Sequence, residues 1–342
     1  MFTKESKYNL RNAINRILLF IAFMALSFTS YPMSAKELPV LFKYINGADS
    51  AYTLFLFQGY NESKDNNFKL AASHLSELIK ISIEKKDIVS QAHYLNLMGS
   101  LYFEHQQFQV ALEYYFRCSE ILSNKSLDIA SAYNRGDIAN VYYAQELYDE
   151  AKKEYRFMYR VFQKTNTLHG IAVALNNLGL ASEKQDKLDS ALFFYENAKK
   201  IRLKMKEPDL LIHSDLYIAN VYLKLNNLTA VDSLVRKVKI DLKNYTGNSI
   251  LIPSQWAKVY WIEAQNFRKQ EKIPQSKKAY RRAIEIFKSI NDYKASCLAL
   301  IELATIYSKE GNSDSALNEY ENAFNIAKTG NLGLLLREVL SA

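Results

Sequence analysis

Apolar and polar residues alternate along this chain with helical rather than strand periodicity, and the alternation itself recurs. Ala172 to Lys184 reads as one amphipathic helix, Gln185, Asp186 and Lys187 as a polar turn, and Leu188 to Met205 as a second helix. Small residues mark a ruler with a period of 40: Gly59, Gly99, Ala139, Gly179 and Ala219, then Ala264 after one longer step of 45, and Ala304 after a further 40. Three positions on stand Tyr102, Tyr142, Ser182, Tyr222, Phe267 and Tyr307. Twelve after the small residue stand Ala71, Ala111, Ala151, Ala191, Val231, Ser276 and Ala316. Two further columns fix the register: Leu75, Tyr115, Tyr155, Tyr195, Val235, Tyr280 and Tyr320, and three residues later Leu78, Cys118, Met158, Ala198, Val238, Ala283 and Ala323.

Each unit is therefore a helical hairpin. Small columns let its two helices approach closely, and the aromatic column fills the groove beside them. A hairpin cannot cover its apolar face alone, so the seven units stack on one another. Composition agrees, because 10 Gly and 5 Pro in 342 residues are too few for the corners of a turn-rich β fold.

These columns resemble the tetratricopeptide repeat, with Leu and Gly then Tyr on the first helix and Ala, an aromatic and Ala on the second. Leu178, Gly179, Ala191, Tyr195 and Ala198 match most fully, followed by Leu303, Ala304, Tyr307, Ala316, Tyr320 and Ala323. The resemblance covers residues 52 to 336 and implies an all-α, right-handed superhelical solenoid of antiparallel helix pairs, about seven repeats long. The usual unit has about 34 residues, so this is a long-helix variant, similar to those of kinesin light chains, cell-polarity scaffolds and bacterial peptide-sensing regulators. The first unit departs most, with Glu62 in the Tyr column.

Two breaks punctuate the array. Gly, Asn and Pro between Tyr245 and Ser254 mark a loop, assigned to residues 246–256, between repeats 1–5 (52–245) and repeats 6–7 (257–336). Residues 337–342 begin an incomplete eighth repeat or form a cap, and the apolar stretch from Leu334 offers a surface for self-association. At the other end, basic residues to Arg16 precede an apolar run from Ile17 to Phe28, the pattern of a signal peptide over residues 1–35, with a lead-in over 36–51. The run is shorter than the roughly 20 residues of a spanning helix, so export to the periplasm or envelope is expected, with membrane attachment only if this segment stays uncleaved.

The formal net charge is +8, and beyond residue 35 it falls to +5, with 40 basic against 35 acidic side chains, which excludes the clustered basic footprint of a nucleic-acid binder. Cys118 and Cys297 fall five repeats apart, beyond disulfide reach. The five histidines show no metal spacing, and no phosphate-cradling Gly loop or nucleophile elbow is present, so no metal, cofactor or catalysis is expected. Asp-Ser pairs at Asp49, Asp189, Asp232 and Asp314 read as N-caps of second helices.

The tetratricopeptide resemblance points to the first helices, whose second, fifth, sixth, ninth, twelfth and thirteenth positions line the concave groove. Counting from Ala92, Ala132, Ala172, Ile212, Ala257 and Cys297 as position one, Asn96 and Asn176 fall at the fifth, Asn177 at the sixth, and Asn140, Asn220 and Gln265 at the ninth. An amide carries donors and an acceptor, so such a ladder pairs with the main chain of an extended peptide, or else with neighbouring helices. The aromatics Phe103, Tyr143 and Trp261 share the face, and towards the C-terminus it turns basic, with Lys184, Lys224, Lys258, Arg268, Lys269 and Lys309. A basic groove favours an acidic peptide. The expected function is an exported scaffold holding a peptide or protein segment; the alternative is the sensory part of a histidine kinase or transcription regulator.

Overall fold

The computed structural model describes residues 50–330 except 65–66, 125–127 and 248. The expected signal segment, most of the lead-in and the apolar C-terminal end lie outside the described residues, as does Asp49. Among the described residues all regular structure is helical: α1 (Ser50–Ser63), α2 (Phe68–Glu84), α3 (Ile88–Glu104), α4 (Phe108–Asn124), α5 (Asp128–Ala144), α6 (Tyr148–Lys164), α7 (Leu168–Lys184), α8 (Leu188–Met205), α9 (Pro208–Lys224), α10 (Leu228–Asn244), α11 (Leu251–Lys269), α12 (Ile273–Ser289), α13 (Tyr293–Lys309) and α14 (Ser313–Thr329). The chain divides into two compact units, one ending at Ala181 and the other beginning at Ser182, so the boundary falls in the last turn of α7.

One kind of turn makes most of the connections. A residue with positive φ follows the helix end at Lys86, Gln106, Glu146, Asn166, Asp186, Lys206, Asn226, Glu271, Asn291 and Gly311. The next amide reaches back five residues, as in Gln107 N to Tyr102 O and Asn227 N to Tyr222 O, both 2.9 Å, which satisfies a carbonyl that the helix end leaves open. Only Gly311 adopts this conformation free of the penalty that a Cβ brings.

The columns become the core. In the first unit Tyr115 and Tyr155 are each 2% exposed and Ala71, Ala111 and Ala151 are fully buried. Gly99 shows why the small column exists: a Cβ there would lie 2.6 Å from the Tyr115 ring. In the second unit Tyr195 and Tyr280 are fully buried over the same small residues. From α1 through α6 and from α8 through α14 each helix packs on its neighbours in sequence, and first helices also touch, α3 on α5 and α9 on α11.

The structure corrects two expectations. The loop over 246–256 is shorter, because α11 begins at Leu251 with Pro253 in its first turn, where a missing N–H removes no helical bond. The Asp-Ser pairs are not N-caps: Asn227 and Asn312 cap α10 and α14 with side-chain oxygens 3.2 and 3.1 Å from the Ala230 and Ser315 amides. Asp189 and Asp314 lie two residues past the cap, in the first turn, where a carboxylate faces the positive end of the helix dipole.

Candidate functional site

The buried tyrosine column organises the polar chemistry of the first helices. A buried phenol needs a partner for its hydroxyl. Tyr115 finds Ser100 at 3.1 Å, Tyr155 donates to Asn140 Oδ1 at 2.7 Å, Tyr195 donates to Glu183 Oε2 at 2.9 Å, and Tyr280 donates to Glu302 Oε2 at 3.4 Å. Ser100, Asn140, Glu183 and Glu302 all occupy positions assigned to the groove, so each tyrosine ties the core to that face.

In the first unit the amide ladder is half committed. Asn96 on α3 donates from Nδ2 to Asp137 Oδ2 on α5 at 2.8 Å, bridging two successive first helices. Asn140 spends its oxygen on Tyr155. Both are half-buried, and the other amide atom of each has no partner among the described residues. Asn176 and Asn177 are 1% and 2% exposed, and neither amide atom of Asn176 is hydrogen-bonded. Phe103 rests on Phe108 with ring centroids 5.8 Å apart, and Tyr143 meets Tyr148 edge-on at 5.5 Å, so both rings brace their own hairpin turns.

In the second unit charge dominates. Glu183 gathers three donors, Asn220 Nδ2 at 2.6 Å, Lys224 Nζ at 2.9 Å and the Tyr195 hydroxyl. Arg268 on α11 pairs with Glu302 on α13. Lys269 is exposed and lies 3.4 Å from Asn226 Oδ1, while Lys184 and Lys309, also exposed, have no ion pair among the described residues. Lys258 is half-buried without a salt bridge among the described residues, and burial lowers its proton affinity, offset in part by Asp292. Its charge, after the larger effect of burial, helps hold the neighbouring His213 neutral. Gln265 is half-buried and makes no side-chain hydrogen bond among the described residues. Trp261 packs edge-on against Phe287 at 5.7 Å with its Nε1 buried and unpartnered.

Asn220 and Lys224 are thus brought together on Glu183, and Arg268 is neutralised by Glu302. Lys184, Lys258, Lys269 and Lys309 are left as cations without a carboxylate partner at ion-pair distance among the described residues. The sequence reading passed over four acids on its own ruler: Asp137 and Glu302 at the sixth position, Glu183 at the twelfth and Glu104 at the thirteenth. Among the described residues no three His, Cys, Asp or Glu side chains lie close enough to hold a metal ion, and no helix is long and apolar enough to cross a membrane.

Comparison with known proteins places this architecture. Residues 128–204 match the tetratricopeptide repeat family, and residues 251–331 match the soluble NSF attachment protein family. No curated protein matches the chain in sequence. In structure it is similar to the apo form of RapI, at 17% identity and a TM-score of 0.66 over 81% of this chain and 98% of that one. It is also similar to aspartyl phosphate phosphatase F from Bacillus subtilis, at 15% identity and a TM-score of 0.65, covering 79% and 68% of the two chains. The Rap conjugation gene regulator of plasmid pLS20, solved in complex with the Phr peptide, follows at 12% identity and a TM-score of 0.58, covering 84% and 78%. Identities this low carry the fold and not the activity. With its repeating hairpins, its aromatic and small-residue columns and these relatives in shape, the chain is a tetratricopeptide-like repeat protein.

Proposed function

We propose that this protein is a scaffold that holds a peptide or protein segment on the face of its first helices, and that the segment presents carboxylates to the second unit. One observation carries the reading. On the second unit's part of that face the acids Glu183 and Glu302 have cationic partners, whereas Lys184, Lys258, Lys269 and Lys309 have no carboxylate partner at ion-pair distance among the described residues, so the field over that unit's face is positive. The free amide of Gln265 and the free oxygen of Asn220 add main-chain recognition that is indifferent to sequence. The peptide in the Rap regulator complex supports the choice of ligand class. The basic start and the apolar run from Ile17 to Phe28 support action outside the cytoplasm, in the periplasm or envelope.

The test is fluorescence anisotropy of the full chain with a labelled octaglutamate peptide and an octaglutamine control. Octaglutamate should bind, more weakly as salt rises, because exposed charges are screened beyond about 10 Å at 0.1 M. Replacing Lys184, Lys269 and Lys309 together by Ala should weaken it at least tenfold. Equal binding of octaglutamine, or undiminished binding by the triple variant, would refute the reading.

A further inference from the structure

The fold's usual treatment of a buried carboxylate is to supply a cation. Asp215, fully buried on α9, has Lys199 Nζ at 2.5 Å and Lys237 Nζ at 2.6 Å. Glu183 has Lys224, Glu263 has Lys239 at 2.5 Å, and Glu302 has Arg268. Asp137 in the first unit breaks this habit. It is half-buried on α5, and its one hydrogen bond is the neutral amide of Asn96. The ionisable groups that face it are the Tyr115 hydroxyl and the Cys118 thiol on α4, and burial pushes both towards their uncharged forms. Burial likewise raises the Asp137 carboxyl to about 6, against the opposing hydrogen bond from Asn96. At neutral pH the site therefore holds a desolvated negative charge with no counter-charge among the described residues.

A second observation points to a missing donor. Asn134 lies three residues before Asp137 and so on the same side of α5. It is 2% exposed, and neither Nδ2 nor Oδ1 has a hydrogen-bond partner. Buried polar atoms without a partner are uncommon in folded proteins and call for a bound group or an ordered water that completes them. A charged acceptor and a neutral amide oxygen on one helix side suit a group with several N–H donors and a positive charge.

We propose that Asp137, with Asn134 beside it, is a subsite for the cationic side chain, lysine or arginine, of a segment bound to the first unit. This rests on the reading that the first helices hold a peptide, and it adds a basic residue to what that peptide must carry. Asp137 is the charged acceptor, Asn96 orients it, and the cation replaces the hydration that burial has removed.

The experiment titrates the full chain with three capped tripeptides, Ala-Arg-Ala, Ala-Lys-Ala and Ala-citrulline-Ala, the last being a neutral isostere of the first. At pH 7.5 one or both cationic peptides should bind at least tenfold more tightly than the citrulline peptide, and the winner identifies guanidinium or ammonium. The preference should vanish at pH 4.5, where Asp137 is protonated, and in Asp137→Asn at either pH. Equal binding of all three peptides, no measurable binding of any, or a preference that survives Asp137→Asn would overturn the proposal. The two ideas fail separately: octaglutamate captured without the arginine preference sinks the subsite alone, and the preference without octaglutamate binding sinks the acidic-ligand reading alone.

Discussion

Asp137→Asn should stabilise the protein at neutral pH, an unusual outcome for the removal of a half-buried charge. Burial raises this carboxyl from 3.8 to about 6 in the folded chain. Each unit of such a shift corresponds to about 1.4 kcal/mol, so two units set an upper bound of about 3 kcal/mol, and the partial exposure of Asp137 brings the expected gain to about 2 kcal/mol. The sign follows from the direction. A folded-state value above the unfolded one means that the native state binds the proton more tightly. Its stabilisation is complete below about pH 4, declines as the pH rises, and is gone above about pH 6. The variant keeps an oxygen to accept from Asn96 and carries no charge, so it escapes that loss. At about 2 to 4 °C per kcal/mol for a unit of this size, the melting temperature should rise by roughly 4 to 8 °C at pH 7.5 and by little at pH 4. Calorimetry of both proteins across this range checks it. A gain independent of pH, or a loss at pH 7.5, would show that Asp137 is not desolvated in the way the structure indicates.

Three further outcomes follow from packing and backbone. Gly99→Ala drives a Cβ to within 2.6 Å of the Tyr115 ring and should lower stability by about 1 to 3 kcal/mol in chemical denaturation, and an unchanged midpoint would place the register in error. Glu146→Gly relieves a residue at φ 63° and should raise stability by about 0.5 to 1 kcal/mol, with Gly311→Ala, at φ 75°, moving the opposite way in the same assay. Lys199→Met and Lys237→Met should each have a small effect, because the other lysine still neutralises Asp215; together they leave a fully buried carboxylate unpaired, and a double-mutant cycle should show a loss well above the sum of the two.

How far the sequence could be read depends on the distance between partners in it. Tyr115, Tyr155, Tyr195 and Tyr280 are legible as core because their environment is rebuilt every unit by the same small columns. The polar face is harder, since its partners lie in other units: Asn96 bonds a residue 41 positions on, and Asn220 one 37 positions back. Neither separation equals the period, so no column announces it. Three of the amides, Asn96, Asn140 and Asn220, are consequently links between helices, each with one amide atom left without a partner among the described residues. Asp137 was within reach of the same ruler, but an acid among amides and lysines stands out only once its missing cation is seen. Pro253 misled for a local reason, because a proline reads as a break wherever it falls, yet the first turn of a helix accepts it.

The recurring turn has a consequence for how such a chain changes length. Left-handed residues stand 20 apart at Gln106 and Lys86, and 40 apart at Gln106 and Glu146, with the same backbone on either side. Recombination that excised residues 107–146 would join Gln106 directly to Leu147, leaving one turn of unaltered geometry and every remaining column in phase. An excision half as long would splice equally well in the backbone yet put a second-helix face where a first-helix face is required. The backbone thus permits exchange wherever this turn recurs, while the side chains accept it only at alternate ones, which makes the hairpin the unit in which this array can gain or lose material.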